Sequence, residues 1–303
     1  MQYRLKARIH PDPGLDNADR FQHRLRFGRE KTFLTGHGLS QEFYLGPVFR
    51  LEFRNQVDRD DGTDREFRGV DISDRYSFVS DGFEARYRIE FKRLSLRARA
   101  EIERRNYNSA SESVEYDHVK YAGGVDLDFR LSKLDSFRLV YNFAKRDYRE
   151  RPARDLTGDL DSANPSREYH DNRIELSLRR RFSKHCRAKA GYRLSHRDDQ
   201  YVGYDDYLQH RIGLSIHAKL ASRARAVFDT KYSHKNYPRA FAFNNPLQKA
   251  KAKDILSISG ETEIDLGHRL TLVGSLSYRD EKTSDARYRY ARVIGSLGLR
   301  IDF

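Results

Sequence analysis

The stretch ARVIGSLGLRIDF (291–303), which closes the chain, decides the fold. Every second residue from Ala291 to Phe303 is apolar or glycine, and Arg292 and Arg300 stand among the residues between them. A period of two places these two sets on opposite faces of an extended strand, whereas a helix needs apolar residues three and four apart. The stretch therefore predicts a β-strand with one apolar face and one mostly polar face, which ends on a bare phenylalanine.

The same alternation runs through the chain, for example in MQYRLKARIH (1–10), FEARYRIEFK (83–92) and LSLRARAEIE (94–103). No segment has the spacing of an amphipathic helix. Short turns alternate with long polar links along the chain. The predicted short turns are 91–94, 131–136, 182–186, 220–224 and 266–270, and the predicted long links are 106–118, 147–168, 197–206, 235–251 and 279–287. This rhythm predicts an all-β, up-and-down antiparallel meander, with short turns at one end and long loops at the other.

The number of strands depends on the first eighty residues. Three strands are expected at about 2–10, 20–33 and 39–57. Residues 67–82 either open the next strand, with a bulge near Asp81 and Gly82, or form a separate strand. The first interpretation gives about 14 strands. The second interpretation, with a further break at Gly46–Pro47, gives the alternative of 16. Bacterial single-chain barrels have even strand counts and short periplasmic turns. We therefore predict one domain over residues 1–303 with about 14 strands.

Composition narrows the class of protein. The 303 residues are 38% hydrophobic and 34% charged, with a formal net charge of +13. That is little apolar material for a soluble core, yet 19 Tyr and 18 Phe argue against a disordered chain. A single cysteine, Cys186, excludes an internal disulfide and a cysteine-based metal site. No apolar run is long enough for a membrane helix. The chain opens directly on a strand, which fits a mature protein or the C-terminal barrel of a longer one.

The apolar and charged faces require a closed sheet with lipid outside. An open meander would leave strand edges free to pair with other chains, and closure into a barrel removes them. About 14 strands enclose more space than these apolar side chains can fill, since a barrel of about 8 strands is already filled. Apolar residues facing lipid and charged residues lining a wet lumen satisfy both constraints. The last strand is then expected to pair with the first, and strands of about 9–11 residues suffice for a tilted crossing.

With these features the chain resembles bacterial outer-membrane β-barrel proteins of the porin-like class. The terminal strand is similar to the membrane-insertion signal of that class, with Leu297, Leu299, Ile301 and Phe303 as the residues that carry it. The resemblance implies a location in the outer membrane of a Gram-negative bacterium, with short periplasmic turns and long extracellular loops. It implies lipid, lipopolysaccharide and the barrel-assembly machinery as partners. The chain departs from the class in having no Trp, so Tyr and Phe are expected to form its interfacial girdles.

The candidate functional feature is a ladder of cations on the polar face of the strands. The predicted pore-lining residues are Arg4, Lys6, Arg8, Arg24, Arg26, Arg86, Arg88, Arg97, Arg99, Arg138, Arg179, Arg187, Lys189, Arg193, Arg211, Arg225, Arg292 and Arg300. Rings of Arg and Lys lower the electrostatic barrier to anions. Carboxylates share the same face, so the alternative is that cross-strand ion pairs only brace the wall.

The predicted function is an outer-membrane channel for anionic solutes or for an acidic polymer such as a polysaccharide. A barrel component of an export system, lacking its periplasmic segment, is the alternative. An enzyme is disfavoured because the chain has no Gly-x-Ser-x-Gly, His-Glu-x-x-His or phosphate-loop motif. Nucleic-acid binding is disfavoured because the basic residues are spread evenly among acidic ones. No cofactor or metal is predicted, and the acidic stretches 58–64 and 155–161 are expected to be solvated loops.

Overall fold

The computed structural model describes residues 2–8, 20–35, 39–54, 66–67, 70–71, 77–107, 116–242, 247, 249–267, 269–286 and 289–301. Within these ranges, no helix is long and apolar enough to span a membrane. The fold is all-β, as predicted. Its strands are β1 (Gln2–Arg8), β2 (Arg20–Arg26), β3 (Arg29–Thr35), β4 (Leu39–Arg54), β5 (Glu66–Phe67), β6 (Val70–Asp71), β7 (Phe78–Phe91), β8 (Leu94–Tyr107), β9 (His118–Arg130), β10 (Asp135–Pro152), β11 (Ser166–Arg181), β12 (Cys186–Asp199), β13 (Tyr207–Ala221), β14 (Ala224–Phe241), β15 (Ala250–Gly267), β16 (Leu270–Thr283) and β17 (Tyr290–Ile301).

One antiparallel sheet takes up nearly all of these strands in up-and-down order. β2 pairs with the second half of β4 and β3 pairs with its first half, so the two form a single strand interrupted at Phe27 and Gly28. Counted in this way the sheet has fourteen strands, which confirms the predicted number. The interruption lies opposite Gly46–Pro47, where a sequence break was considered, but β4 itself runs through that dipeptide.

Two predicted boundaries are wrong. Phe67, Val70 and Asp71 do not belong to the strand that follows β4, because they lie in β5 and β6, which form a separate two-stranded sheet, and β7 begins at Phe78. Asp81 and Gly82 pair in continuous register with both neighbouring strands, so no bulge lies there. Aspartate and glycine are typical turn residues. The sequence at Asp81 and Gly82 therefore suggested an irregularity in a strand that is in fact regular.

The strands from β7 to β17, with 12 to 18 residues each, are also longer than the 9–11 residues needed for a crossing. β10, β14 and β15 each have 18 residues. All the extension lies at the long-loop end, where the link predicted as 147–168 is reduced to residues between Pro152 and Ser166. Backbone pairing needs no apolar side chain, so the strands continue past the apolar band on which the predicted lengths rested.

The burial of the two faces is the reverse of that in a soluble protein. Large apolar side chains lie on the outside, where Phe83 is 45% exposed and Leu297 is 77% exposed. Charged side chains lie on the enclosed face, where Glu84 and Glu103 are only 4% and 3% exposed. Exposing an apolar band of this extent to water would be costly, whereas lipid satisfies it. The outer face is therefore the lipid-facing surface of a transmembrane β-sheet.

The two ends of the sheet do not meet in the described residues. β1 pairs there with β2 and β17 with β16, and no pairing joins β1 to β17. The predicted contact between the last strand and the first is thus absent, and the sheet is open along this seam. An open edge leaves backbone N–H and C=O groups without partners, which is costly inside a bilayer.

Candidate functional site

The inner face of the sheet carries the charges that the sequence predicted to line a pore. The side chains of Arg4, Lys6 and Arg8 fall outside the described residues, as do Phe303 and the side chain of Ile301. Leu297 and Leu299 lie on the outer face. The contacts of the described cations divide the inner face into two parts that the sequence pattern did not separate.

In the first part the cations are paired with carboxylates, some of which are shared between two or three cations. Glu84 on β7 is the centre of one cluster. Arg86 donates two hydrogen bonds to its carboxylate, at 2.6 and 2.9 Å. Arg24 and Arg26 on β2 approach the same carboxylate at 3.5 and 3.3 Å.

Glu103 on β8 is the centre of a second cluster. Arg50 on β4 donates to Glu103 at 3.0 Å and to Glu101 at 2.8 Å. Arg105 donates to Glu103 at 3.1 Å, and the Ser80 hydroxyl donates to it at 2.8 Å. This carboxylate is almost fully enclosed, so its charge depends on these donors.

Two further sets of ion pairs complete this part of the inner face. Arg138 donates from Nε to Asp126 at 2.8 Å, and Arg97 lies 3.9 Å from the same carboxylate. Arg88 contacts Glu90 and lies 3.7 Å from Glu42. We call the inner face of β2, β4 and β7–β10 the paired wall, since its predicted pore residues, Arg99 excepted, all have carboxylate partners.

The second part is the inner face of β11–β14, which we call the free wall. Among the described residues, the cations of this wall that form no ion pair with a carboxylate include Arg179, Arg187, Lys189, Arg211, Lys219 and Lys231. Its paired members include Arg193 with Glu175 at 2.7 Å, Arg197 with Asp171 at 2.9 Å, and Arg225 with Glu263. Glu263 also accepts from Arg300 of β17 at 2.9 Å.

A cavity of about 600 Å³ lies on the inner face between β3 and β11. Arg99 and Arg173 line it together with Arg138 and Glu175. Arg99 donates to the Asn142 side chain at 2.6 Å and has no carboxylate partner in the described part of the chain. Arg173 lies two residues before Glu175 on β11, which places it on the inner face, as the alternation predicts. The cavity therefore carries positive charge that its own carboxylates do not cancel.

Aromatic rings line the inner face near the long loops. Tyr107, His118, Tyr148 and Tyr169 follow one another across β8–β11, with ring centroids 4.9 to 5.9 Å apart. Tyr and Phe were predicted for the outer girdles only, so this inner series of rings was not predicted. The signal was present, because each of these rings continues the parity of the charged residues on its strand.

Cations continue the series on the next strands. The Arg197 guanidinium lies 4.4 Å from the Tyr169 ring centroid and 5.1 Å from that of Tyr207. The Lys235 ammonium lies 3.6 Å from Tyr207 and 4.5 Å from Tyr237. Arg197 is also paired with Asp171 at 2.9 Å, whereas the cation–π contacts of Lys235 hold its charge in place without a carboxylate partner among the described residues.

The loop between β12 and β13 folds inward over this end of the sheet. Its Asp205 carboxylate accepts a hydrogen bond from the Tyr169 hydroxyl and lies 3.9 Å from Arg167. Asp199, beyond the membrane-spanning part of β12, accepts backbone hydrogen bonds from Tyr201 and Asp205. Burial raises the pKa of the Asp199 carboxyl, these hydrogen bonds oppose the rise, and repulsion from Asp205 adds to it. The loop thus narrows the mouth at the long-loop end.

The acidic loop 155–161 satisfies its own carboxylates. Asp155 accepts hydrogen bonds from the Thr157 backbone, the Thr157 hydroxyl and the Asp159 backbone, at 2.6 to 3.0 Å. The hydrogen bond from the Thr157 side chain is the main reason that the pKa of Asp155 is lowered. Among the described residues, no group of three or more His, Cys, Asp or Glu side chains is placed to hold a metal ion. The other acidic stretch, 58–64, lies outside the described residues.

Comparisons with known proteins are informative at the level of the fold. No protein-family model and no curated protein matches the chain. Among solved structures it is similar to the copper transporter OprC, with a TM-score of 0.51 and 10% identity over 94% of this chain and 50% of that one. It is also similar to OmpT, an outer membrane protein of Vibrio cholerae, with a TM-score of 0.48 and 9% identity over 99% and 93% of the two chains.

An anion-selective porin from Comamonas acidovorans matches with a TM-score of 0.38 and 12% identity, over 94% of this chain and 88% of that one. Identities this low show the fold alone. The alternating strands, the apolar outer face and the charged inner face agree with that fold. The chain therefore has the fold of the bacterial outer-membrane β-barrel proteins, and the predicted location in the outer membrane agrees with it.

Proposed function

We propose that this protein is an outer-membrane channel that passes anions in preference to cations. The observation that carries the proposal is the unequal pairing of charge on the inner face. The predicted pore cations of the paired wall, Arg99 excepted, have a carboxylate oxygen within 3.9 Å, whereas at least six cations of the free wall have none among the described residues.

Only the unpaired cations are expected to attract a passing anion strongly. A guanidinium that donates to a carboxylate, as Arg86 does to Glu84 at 2.6 Å, presents less charge to the lumen than an unpaired one, even where the carboxylate is shared with Arg24 and Arg26. Arg211 and Lys189 present a positive charge that no carboxylate partner among the described residues compensates. A wet lumen with low-dielectric walls focuses such a field and raises the local concentration of counter-ions.

The proposal is tested by charge reversal on the free wall. Purified protein in planar lipid bilayers under a KCl gradient is expected to show a reversal potential that indicates preference for chloride. Arg211→Glu combined with Lys189→Glu should shift the reversal potential toward potassium, because two unpaired cations become two unpaired anions. Lys133→Glu, in the short turn between β9 and β10, makes half of that charge change away from the lumen and should leave the potential close to that of the parent.

Two results would contradict the proposal. One is a preference for potassium in the unsubstituted protein. The other is a shift for Lys133→Glu of about half that of the free-wall variant or more, since selectivity would then follow net charge rather than the pairing of the inner cations. The contacts with lipopolysaccharide and with the assembly machinery stay predictions.

A further inference from the structure

The unpaired cations of the free wall form a column along the strands. Arg211 lies directly across from Arg193, and two residues further along β13 Gly213 lies across from Lys231. Further steps of two residues reach Lys189 opposite Ser215, Arg187 opposite His217, and Lys219 opposite Arg225. Each of these five levels holds a cation without a carboxylate partner in the described part of the chain.

The spacing of the column follows from strand geometry. Residues two apart on a strand are about 6.6–6.8 Å apart, so five levels extend over about 27 Å. A small anion occupies one level at a time. Only an extended molecule with repeated negative charges contacts several levels at once. Asp229 lies across from Ser215, at the level of Lys189, and weakens the positive potential there without interrupting the column.

Hydroxyl groups stand in register beside the column. Ser257 lies across from Lys231, and Ser259 lies across from Asp229, both on the inner face of β15. Ser259 in turn lies across from Ser277 on β16. The hydroxyls of Ser257 and Ser259 make no hydrogen bond with other described residues. The inner face therefore presents cations and free hydroxyls side by side, which suits a ligand that carries carboxylates and hydroxyls together.

We infer that the free wall and its serines form a binding track for an extended acidic polysaccharide. This inference rests on the proposed channel function and names its cargo. The carboxylates of successive sugars contact the cation column, and sugar hydroxyls contact Ser257 and Ser259. Polyphosphate can accept hydrogen bonds from the serine hydroxyls but has no hydroxyl to donate to them, so it uses only part of their hydrogen-bonding capacity. The track thus distinguishes two polyanions by chemistry that a charged ring at a single level does not offer.

The test uses block of the ionic current by oligogalacturonates of increasing length. Affinity for block is expected to rise with chain length until the oligomer spans the column, and then to level off. Lys189→Gln combined with Lys231→Gln interrupts the column and should weaken block by long oligomers at least about tenfold, since two charge-assisted contacts are lost. Ser257→Ala combined with Ser259→Ala should weaken block by oligogalacturonate more than block by polyphosphate of similar length.

Controls separate this inference from the channel proposal. The current through the Lys133→Gln variant, which is changed only in the short turn, should be blocked as strongly as that through the parent protein. Arg138→Gln combined with Asp126→Asn removes a pair on the paired wall without changing net charge, and should retain the length dependence. Chloride preference without length-dependent block would overturn the track and leave the channel. Equally tight block by polyphosphate, unaffected by the serine substitutions, would overturn the sugar assignment. Loss of chloride preference in the parent protein would overturn the channel itself.

Discussion

Glu103 carries a negative charge on a nearly inaccessible part of the inner face. Arg50, Arg105 and the Ser80 hydroxyl donate to it, and the Lys120 ammonium lies 3.8 Å away. Burying an ion costs free energy that only close partners offset. The donors come from three different strands, so the cluster ties β4, β7 and β8 together beyond their backbone pairing.

Substitution of Glu103 should therefore be costly. Glu103→Gln leaves the surrounding cations without their shared counter-charge, and we expect the free energy of unfolding to fall by about 3–5 kcal/mol. The matched control is Arg104→Gln, which breaks the exposed outer pair with Asp81 and should cost about 0–1 kcal/mol. Denaturant unfolding in lipid vesicles can be followed by far-UV circular dichroism, since the chain has no Trp. Similar losses for the two variants would contradict the buried-cluster interpretation.

At the scale of elements, the junction between β2 and β3 depends on glycine. A Cβ at Gly46 would lie 2.0 Å from the Phe27 carbonyl oxygen, and one at Gly28 would lie 2.5 Å from the Tyr44 ring. Both contacts are shorter than any real Cβ contact. The interrupted strand can therefore approach β4 only where no side chain stands between them.

Gly46→Ala should disrupt this junction. Because the clash is with backbone, it cannot be relieved by a rotamer change, and we expect destabilisation of at least about 1–3 kcal/mol. Gly298→Ala is the control, since nothing lies within 4 Å of a Cβ at that position. Heat-modifiable gel migration over a temperature series measures the effect. A melting temperature for Gly46→Ala equal to that of Gly298→Ala would show that β4 yields locally and that the junction needs no glycine.

At the scale of the whole molecule, the open seam between β1 and β17 is at odds with a lipid surrounding. Each end strand is paired along one edge only in the described residues. In a bilayer the unpaired backbone groups of the other edge have no water to bind, so closure of the sheet is expected there. Both free edges run between the short-turn end and the long-loop end, which allows antiparallel pairing.

Closure can be tested by disulfide trapping in a Cys186→Ser background. Leu5→Cys is combined in turn with Gly295→Cys, Leu297→Cys and Leu299→Cys, all expected on the outer face by alternation. At least one combination should form a disulfide within a single chain in the membrane, because paired strands bring directly opposed Cβ atoms within about 4.5–5.5 Å. Each single-cysteine variant is the control. Disulfides that form only between chains would show that the seam joins two copies rather than closing one sheet.

The strands and their two faces were predictable from alternation alone. The two-residue period determines which side chains share a face, whichever strands pair with the strand in question. No segment of the sequence has the helical period instead. Strand ends were less accessible, as β7 and β10 show. Backbone pairing extends through polar residues at the long-loop end, where the apolar signal has already stopped. The interruption at Phe27 and Gly28 was invisible because it depends on a contact with Gly46, which lies in another strand.

The sequence by itself determined that this is a meander of about fourteen strands with an apolar outer face and a basic inner face. It could not separate Arg86 from Arg211, since both are arginines on the same face of similar strands. Only the tertiary structure decided that Arg86 donates to a carboxylate and that Arg211 has no such partner among the described residues. The physical reason is that ion pairs form across strands, between residues as far apart in sequence as Arg50 and Glu103, so the register of the sheet sets which charges remain free.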